Sequence, residues 1–300
     1  MKKCKIPQFN QNELKQLQDE ELIELLFIHE DRVPRSVVEE FMRRGRPMIK
    51  PLWDIIAEIN YWTGPTNKYW AVIHATYIIG AIGGREAITP LIMSLKFAGA
   101  YDYDWITEHL SAMFGRIGEP AIEPLKKVAA DKSNDWMIRT IALEGLAAVT
   151  LKASKYKMEI FDFIASFLKS DNEDLNVRGI AGSILLDFQL DRYKQSLIEF
   201  AKLEQEIKNQ DFNYYPNFDG PAHIAELFNE KNNKRLELYQ RDWLEFYNQK
   251  EIEQRQKRWK RERSWWRRRL DHLIFRLTFE KSMKKLKEEM EKDKEKNSSE

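Results

Sequence analysis

An eight-residue pattern occurs three times: GRPMIKPL at 45–52, GREAITPL at 84–91 and GEPAIEPL at 118–125 all read Gly-x-x-(Ala/Met)-Ile-x-Pro-Leu, with starts 39 and 34 residues apart. Self-similarity at this period means stacked supersecondary units, each too small to bury its apolar face alone. The positions have separate physical reasons. Glycine ends the preceding helix, where a left-handed residue is cheap only without a Cβ. Ile and the Leu three residues later share one helical face. Proline belongs in the first turn or two of a helix, where its missing N–H does least harm, although at that depth a kink is also open to it. The pattern therefore marks the start of a helix.

A second helix follows in each unit. WAVIHATYIIGAIG (70–83), WITEHLSAMFGRIG (105–118), MIRTIALEGLAAVT (137–150) and NVRGIAGSILLDFQ (176–189) align so that Ala71, Ile106, Ile138 and Val177 are equivalent. The same holds for Ala75, Leu110, Ala142 and Ala181, and for Ile79, Phe114, Leu146 and Leu185. Spacings of four and four put these positions on one buried stripe, with small residues in the middle that let neighbouring helices approach closely.

A paired-helix unit of this length, with Ile-x-Pro-Leu in its first helix and Val/Ile-Arg-x-x-Ala in its second, resembles the HEAT repeat superfamily, in particular its short phycobilisome-lyase-type repeats. The resemblance covers residues 46–203. It implies an all-α, right-handed α-α superhelix and a protein-interaction scaffold without catalysis or cofactor. It also implies that the arginine of the pattern, Arg139 and Arg178 here, braces a turn by pairing with a nearby aspartate, for which Asp131, Asp135, Asp171 and Asp174 are available. Ligand contact by the same arginines is the alternative. The chain departs from the pattern in two places. Its fourth unit lacks the Gly-x-x-x-Ile-x-Pro-Leu start, and Val72 and Thr107 stand where the first two units would carry arginine.

Outside the repeats, Gln11 to Phe27 and Pro34 to Arg44 read as amphipathic helices, so residues 1–45 form a helical cap over the open end of the solenoid core. Residues 204–230 read as a loop and connecting segment, because FNYYPNFDGPAH at 212–223 breaks helical periodicity with two prolines and a glycine. Its Phe212, Tyr214, Tyr215 and Phe218 either dock on the repeats or meet a ligand. Residues 231–300 read as a long, charged helical extension with a fraying tail. They carry 22 basic against 14 acidic residues, whereas residues 1–230 carry 27 against 34. The two parts do different things electrostatically.

The candidate contact residues fall into two sets. The concave face lined by second helices carries Tyr77, Glu108, His109, Arg139 and Arg178, the expected site for a protein partner. The basic, tryptophan-rich stretch supplies Arg255, Lys257, Arg258, Trp259, Lys260, Arg261, Arg263, Trp265, Trp266, Arg267, Arg268 and Arg269. That set suits nucleic acid, with arginine on phosphate and tryptophan on unpaired bases, an anionic membrane surface, or packing against the acidic body. Trp105, Glu108 and His109, with Asp102 and Asp104 before them, form the densest ionisable cluster in the repeats. Asp104 reads first as a helix N-cap. Some DNA glycosylases use a HEAT-like solenoid with Trp and Asp in its concave face, but their catalytic pattern does not map onto these residues, so a non-enzyme is expected. Phosphate-cradling, nucleophile-elbow, zinc and calcium motifs are absent from the sequence. A single cysteine, Cys4, excludes an internal disulfide framework. The longest stretch without formal charge, Tyr69 to Gly84, is shorter than the roughly 18 to 20 residues of a membrane span, and no secretory leader is legible. The expected location is the cytoplasm.

Overall fold

A computed structural model describes residues 6–101, 103–211, 213–229 and 233–262. The chain divides into two compact units, Met1–Tyr247 and Asn248–Glu300. Its regular elements, in order, are α1 (Gln11–Gln16), α2 (Asp19–Ile28), α3 (Arg35–Arg44), α4 (Ile49–Ala57), α5 (Ile59–Trp62), α6 (Thr66–Ile82), α7 (Ile88–Tyr101), α8 (Asp104–Ile117), α9 (Ile122–Ala130), α10 (Trp136–Thr150), α11 (Lys157–Lys169), α12 (Leu175–Asp187), α13 (Lys194–Gln210), α14 (Pro221–Asn229) and α15 (Gln249–Glu262). The fold is all-α, with no strand among the described residues.

Each repeated pattern opens the first helix of a pair through a short 3-10 turn. Gly45, Gly84 and Gly118 lead into the turns Arg46–Met48, Arg85–Ala87 and Glu119–Ala121, and the α-helices begin at Ile49, Ile88 and Ile122. Pro51, Pro90 and Pro124 are therefore third in their α-helices, inside the first turn, whose N–H groups lack ordinary intrahelical acceptors. Gly118 shows why glycine is needed. Its N–H caps α8 on the Phe114 carbonyl, and it sits at φ 81° and ψ −142°, a region costly for any residue with a Cβ.

The pairs are α4 with α6, α7 with α8, α9 with α10 and α11 with α12, while α6, α8, α10 and α12 pack against one another in that order. The core lies between first and second helices, where Leu52, Ile79, Leu91, Phe114, Leu125, Leu146, Ile164 and Leu185 are buried. Second helices approach closely: a Cβ on Gly115 would lie 2.7 Å from that of Ala148. The N-terminal helices α2 and α3 pack on α6. The expected single helix from Gln11 to Phe27 is broken between α1 and α2, because Gln18 donates its backbone N–H to Glu21 at 2.8 Å and restarts the helix.

Arg139 and Arg178 do the same thing in successive units. Each Nε donates to a carbonyl ten residues upstream, Ala129 at 2.8 Å and Leu168 at 3.1 Å. The remaining Arg139 nitrogens form a bidentate pair with Glu173 at 2.8 and 2.7 Å, while Arg178 meets Asp171 at 3.3 Å. The partner of Arg139 is thus a glutamate of the following unit, which ties the α9–α10 pair to the α11–α12 turn. That hydrogen-bonded pair holds the Glu173 carboxyl below its usual range.

Beyond the repeats, α13 continues to Gln210, and the loop after it folds back onto α12. Glu204, fully buried on α13, accepts from the Tyr214 hydroxyl, the Asn217 backbone and side-chain amides and the Phe218 N–H, at 2.8 to 3.1 Å. Phe218 is buried, Tyr215 is 86% exposed, and Phe212 lies outside the described residues. Gly179 of α12 lets the loop seat, since a Cβ there would overlap the Asn217 amide.

Candidate functional site

The sequence in the second helices makes an aromatic groove. Trp70, His74 and Tyr77 rise at one-turn spacings along α6, and Trp105 and His109 follow at equivalent positions on α8. Trp70 and Trp105 face each other with ring centroids 6.2 Å apart, and the Tyr77 hydroxyl donates to the Trp105 carbonyl.

This groove is filled by the chain itself. Residues 233–247, expected to form part of a long charged helix, instead make two 3-10 segments, Asn233–Gln240 and Trp243–Tyr247, that cross the second helices against the order of the repeats. At the far end the Tyr239 hydroxyl donates to Asp187 at the C-terminus of α12, and its ring packs on Phe188. In the middle, Trp243 donates its indole N–H to the Tyr77 carbonyl at 3.0 Å under the Arg116 guanidinium, 5.7 Å from the ring. Phe246 is enclosed by Trp70, His74, Tyr77 and Trp105, with centroids 5.4 to 6.0 Å away. Arg35 on α3 donates to the Leu244 carbonyl at 2.8 Å. Tyr239, Trp243, Leu244, Phe246 and Tyr247 are all buried, each contributing roughly 1.5 to 3 kcal/mol of apolar burial.

The last anchor is polar. His74 is fully buried, with Nε2 2.7 Å from the Glu30 carbonyl and Nδ1 2.9 Å from the Tyr247 hydroxyl. A carbonyl only accepts, so Nε2 carries the proton in the neutral ring, and Nδ1 accepts from Tyr247.

Several titratable groups are perturbed along the groove. His109, edge-on to Tyr77, is held down to about 4 by burial and then by the Arg241 charge, and its Nδ1 has no hydrogen-bond partner among the described residues. Glu144 on α10 is pushed up to about 7 by burial and then by the nearby Asp187 charge. Burial raises both Asp187 and the Tyr239 hydroxyl, and the two carboxylates raise Tyr239 further. Because the Glu144 pKa in the fold exceeds its ordinary value of 4.5, the favourable protonated form is fully populated below pH 4.5 and is lost as pH rises through 7. Glu144→Gln removes that loss. In urea unfolding followed at several pH values, the variant is expected to match the parent near pH 4 and to exceed it at pH 8, by on the order of 3 kcal/mol for such a shift. Parallel curves for the two proteins would refute the assignment.

The partner-contact residues singled out from sequence separate into two roles. Tyr77 and His109 lie in the groove with the crossing segment. Glu108 is exposed at its rim, 3.5 Å from Arg241. Arg139 and Arg178 are buried in their turn braces. Asp104 is the first residue of α8 rather than its cap; Tyr103 takes the cap position, held by its hydroxyl on the Trp62 carbonyl. Sequence reasoning missed Tyr239, Trp243, Phe246 and Tyr247. The available signal was aromatic density without helical period in LELYQRDWLEFY, residues 236–247.

The basic stretch begins on α15, where Lys257, Arg258 and Lys260 are exposed, Trp259 is half-buried and Arg255 is buried. Arg261 is also on α15, and its side chain lies outside the described residues, as do Arg263, Trp265, Trp266, Arg267, Arg268 and Arg269. Among the described residues, no group of three His, Cys, Asp or Glu side chains is placed to hold a metal ion, and no helix is long and apolar enough to cross a membrane. No protein-family model, curated protein or solved structure matches the chain.

Proposed function

We propose that this chain is a non-catalytic protein-interaction scaffold of the HEAT type, which engages a protein partner on the concave face built by α6, α8, α10 and α12. One observation carries the reading: that face already receives an irregular peptide segment, residues 233–247, through aromatic anchors distributed over several helices. Segments bound by buried aromatic anchors and a few side-chain hydrogen bonds are the usual form of protein recognition by a groove. In support, His74 and Asp187 hydrogen-bond to Tyr247 and Tyr239 of the crossing segment, and Arg139 and Arg178 are held in their turn braces.

The test is positional crosslinking in cells that make the protein. A photoreactive side chain at Glu108 or Arg116, both exposed beside the groove, is expected to capture a partner protein. The same group at Lys127 on α9 or Glu159 on α11, exposed on first helices, is expected to capture none. Partner capture only from Lys127 and Glu159 would sink the reading.

A further inference from the structure

The segment at 233–247 differs from the helices beneath it in how it is held. Hydrogen bonds that hold it, among them Arg35 to the Leu244 carbonyl, Trp243 to the Tyr77 carbonyl, Tyr239 to Asp187, Arg241 to Glu108 and Tyr247 to His74, use a side chain on at least one partner. Its two 3-10 pieces carry weaker internal geometry than an α-helix. The core between first and second helices is made of other residues, among them Leu91, Leu125, Phe114 and Leu146. The fit is also incomplete: His109 Nδ1 is buried beside Arg241 without a hydrogen-bond partner among the described residues. Lifting the segment would uncover Trp70, Tyr77 and Trp105 together, an aromatic patch of the kind that marks an interaction site.

We propose that residues 233–247 are a built-in competitor, a strap that occupies the groove until an external protein presents a segment of the same chemistry. The strap defines that chemistry. It is a short irregular stretch with a Trp-x-x-Phe-Tyr core, the Trp set under Arg116, the Phe enclosed by Trp70, Tyr77 and Trp105, and the Tyr hydroxyl on His74. Charge is mixed on both sides: the strap carries Lys234, Arg235 and Arg241 beside Glu237, Asp242 and Glu245, and Arg35, Arg116 and Glu108 stand on the receiving side, with Arg241 3.5 Å from Glu108. The partner is therefore an aromatic peptide segment of mixed charge. A tethered strap has a high effective concentration, so a free segment competes poorly with it until the strap is weakened or released.

The inference rests on the scaffold reading and is tested separately from it. A synthetic peptide spanning residues 236–248 is titrated, by fluorescence anisotropy, into the full-length protein and into its Trp243→Ala/Phe246→Ala variant. The variant is expected to bind the peptide at least ten-fold more tightly than the parent. No binding to a variant that still unfolds cooperatively would overturn the proposal. Should the variant fail to fold, hydrogen exchange of the unaltered full-length protein decides. Strap amides exchanging well ahead of those in α6 and α8 support a releasable strap, whereas exchange of both only through global unfolding overturns it. A concentration-dependent dimer of the parent with exchanged straps would assign the groove to a second copy and overturn the external partner. Continued crosslinking from Glu108 or Arg116 after any of these failures leaves the scaffold reading standing, and loss of that crosslinking removes the reading itself.

Discussion

Replacing Arg139 with methionine is expected to lower the stability of the first unit by about 3–5 kcal/mol, the range found when one member of a buried ion pair is removed. Arg139 and Glu173 are both almost fully enclosed, at 4% and 6% side-chain exposure. The substitution therefore leaves a buried carboxylate without its bidentate partner and the Ala129 carbonyl without its donor. Methionine keeps much of the volume, so the loss reads the interaction rather than a cavity. For a chain of this size, each kcal/mol moves the melting temperature by about 2–4 °C, and differential scanning calorimetry resolves the change. Arg139→Lys is expected to recover only part of it, since an ammonium group cannot reproduce the planar fork. The pH dependence has a definite sign. The Glu173 carboxyl is depressed in the fold by Arg139, so the stabilisation is present above its ordinary pKa and is lost as pH falls below it. The variant should therefore differ most from the parent near neutrality and converge with it in acid. Equal melting temperatures for parent and Arg139→Met at pH 7 would show that the brace contributes nothing.

Glu204→Gln is expected to cost about 2–4 kcal/mol, because hydrogen bonds to a charged acceptor are worth about 1.5–3 kcal/mol and a buried donor left unpaired is penalised further. The change keeps the shape of the side chain and alters only its hydrogen bonding. Four donors converge on the carboxylate, three on Oε1 and the Phe218 N–H on Oε2. A carboxamide has one acceptor atom and two N–H groups, so either orientation sets donor against donor. The loosening should begin locally, with the loop at 213–220 exchanging its amide protons before α12 does. A proteolysis experiment gives an orthogonal reading: cleavage beside the 86% exposed Tyr215 should accelerate in the variant. Unchanged proteolysis and unchanged urea midpoint would mean that the loop is held by Phe218 packing alone.

These two expectations differ in how far they could be read from the chain. Arg139 was marked by its place in a repeated helix, which predicted a brace but offered four aspartates as partners. The structure chose Glu173, because the Arg139 fork projects across the unit boundary toward the next turn rather than back into its own. Nothing in the local pattern around Glu204 distinguished it from the other glutamates of a charged helix. Its role exists only because a loop whose Phe218 must be buried returns to it from ten to fourteen residues further on.

Helix starts, their glycine caps, the prolines in first turns and the alternation of first and second helices were all local properties, decided by backbone sterics and by spacings of three and four residues. That is why Gly-x-x-x-Ile-x-Pro-Leu marked three helix starts, now seen at Ile49, Ile88 and Ile122. The groove was decided otherwise. Residues 233–247 carry no helical or strand period, and their conformation is set by where Tyr239, Trp243, Phe246 and Tyr247 find Asp187, Arg116, Trp105 and His74, partners as many as 173 positions away. Local periodicity therefore determined the stack of helix pairs, and long-range aromatic burial alone determined what lies in its groove.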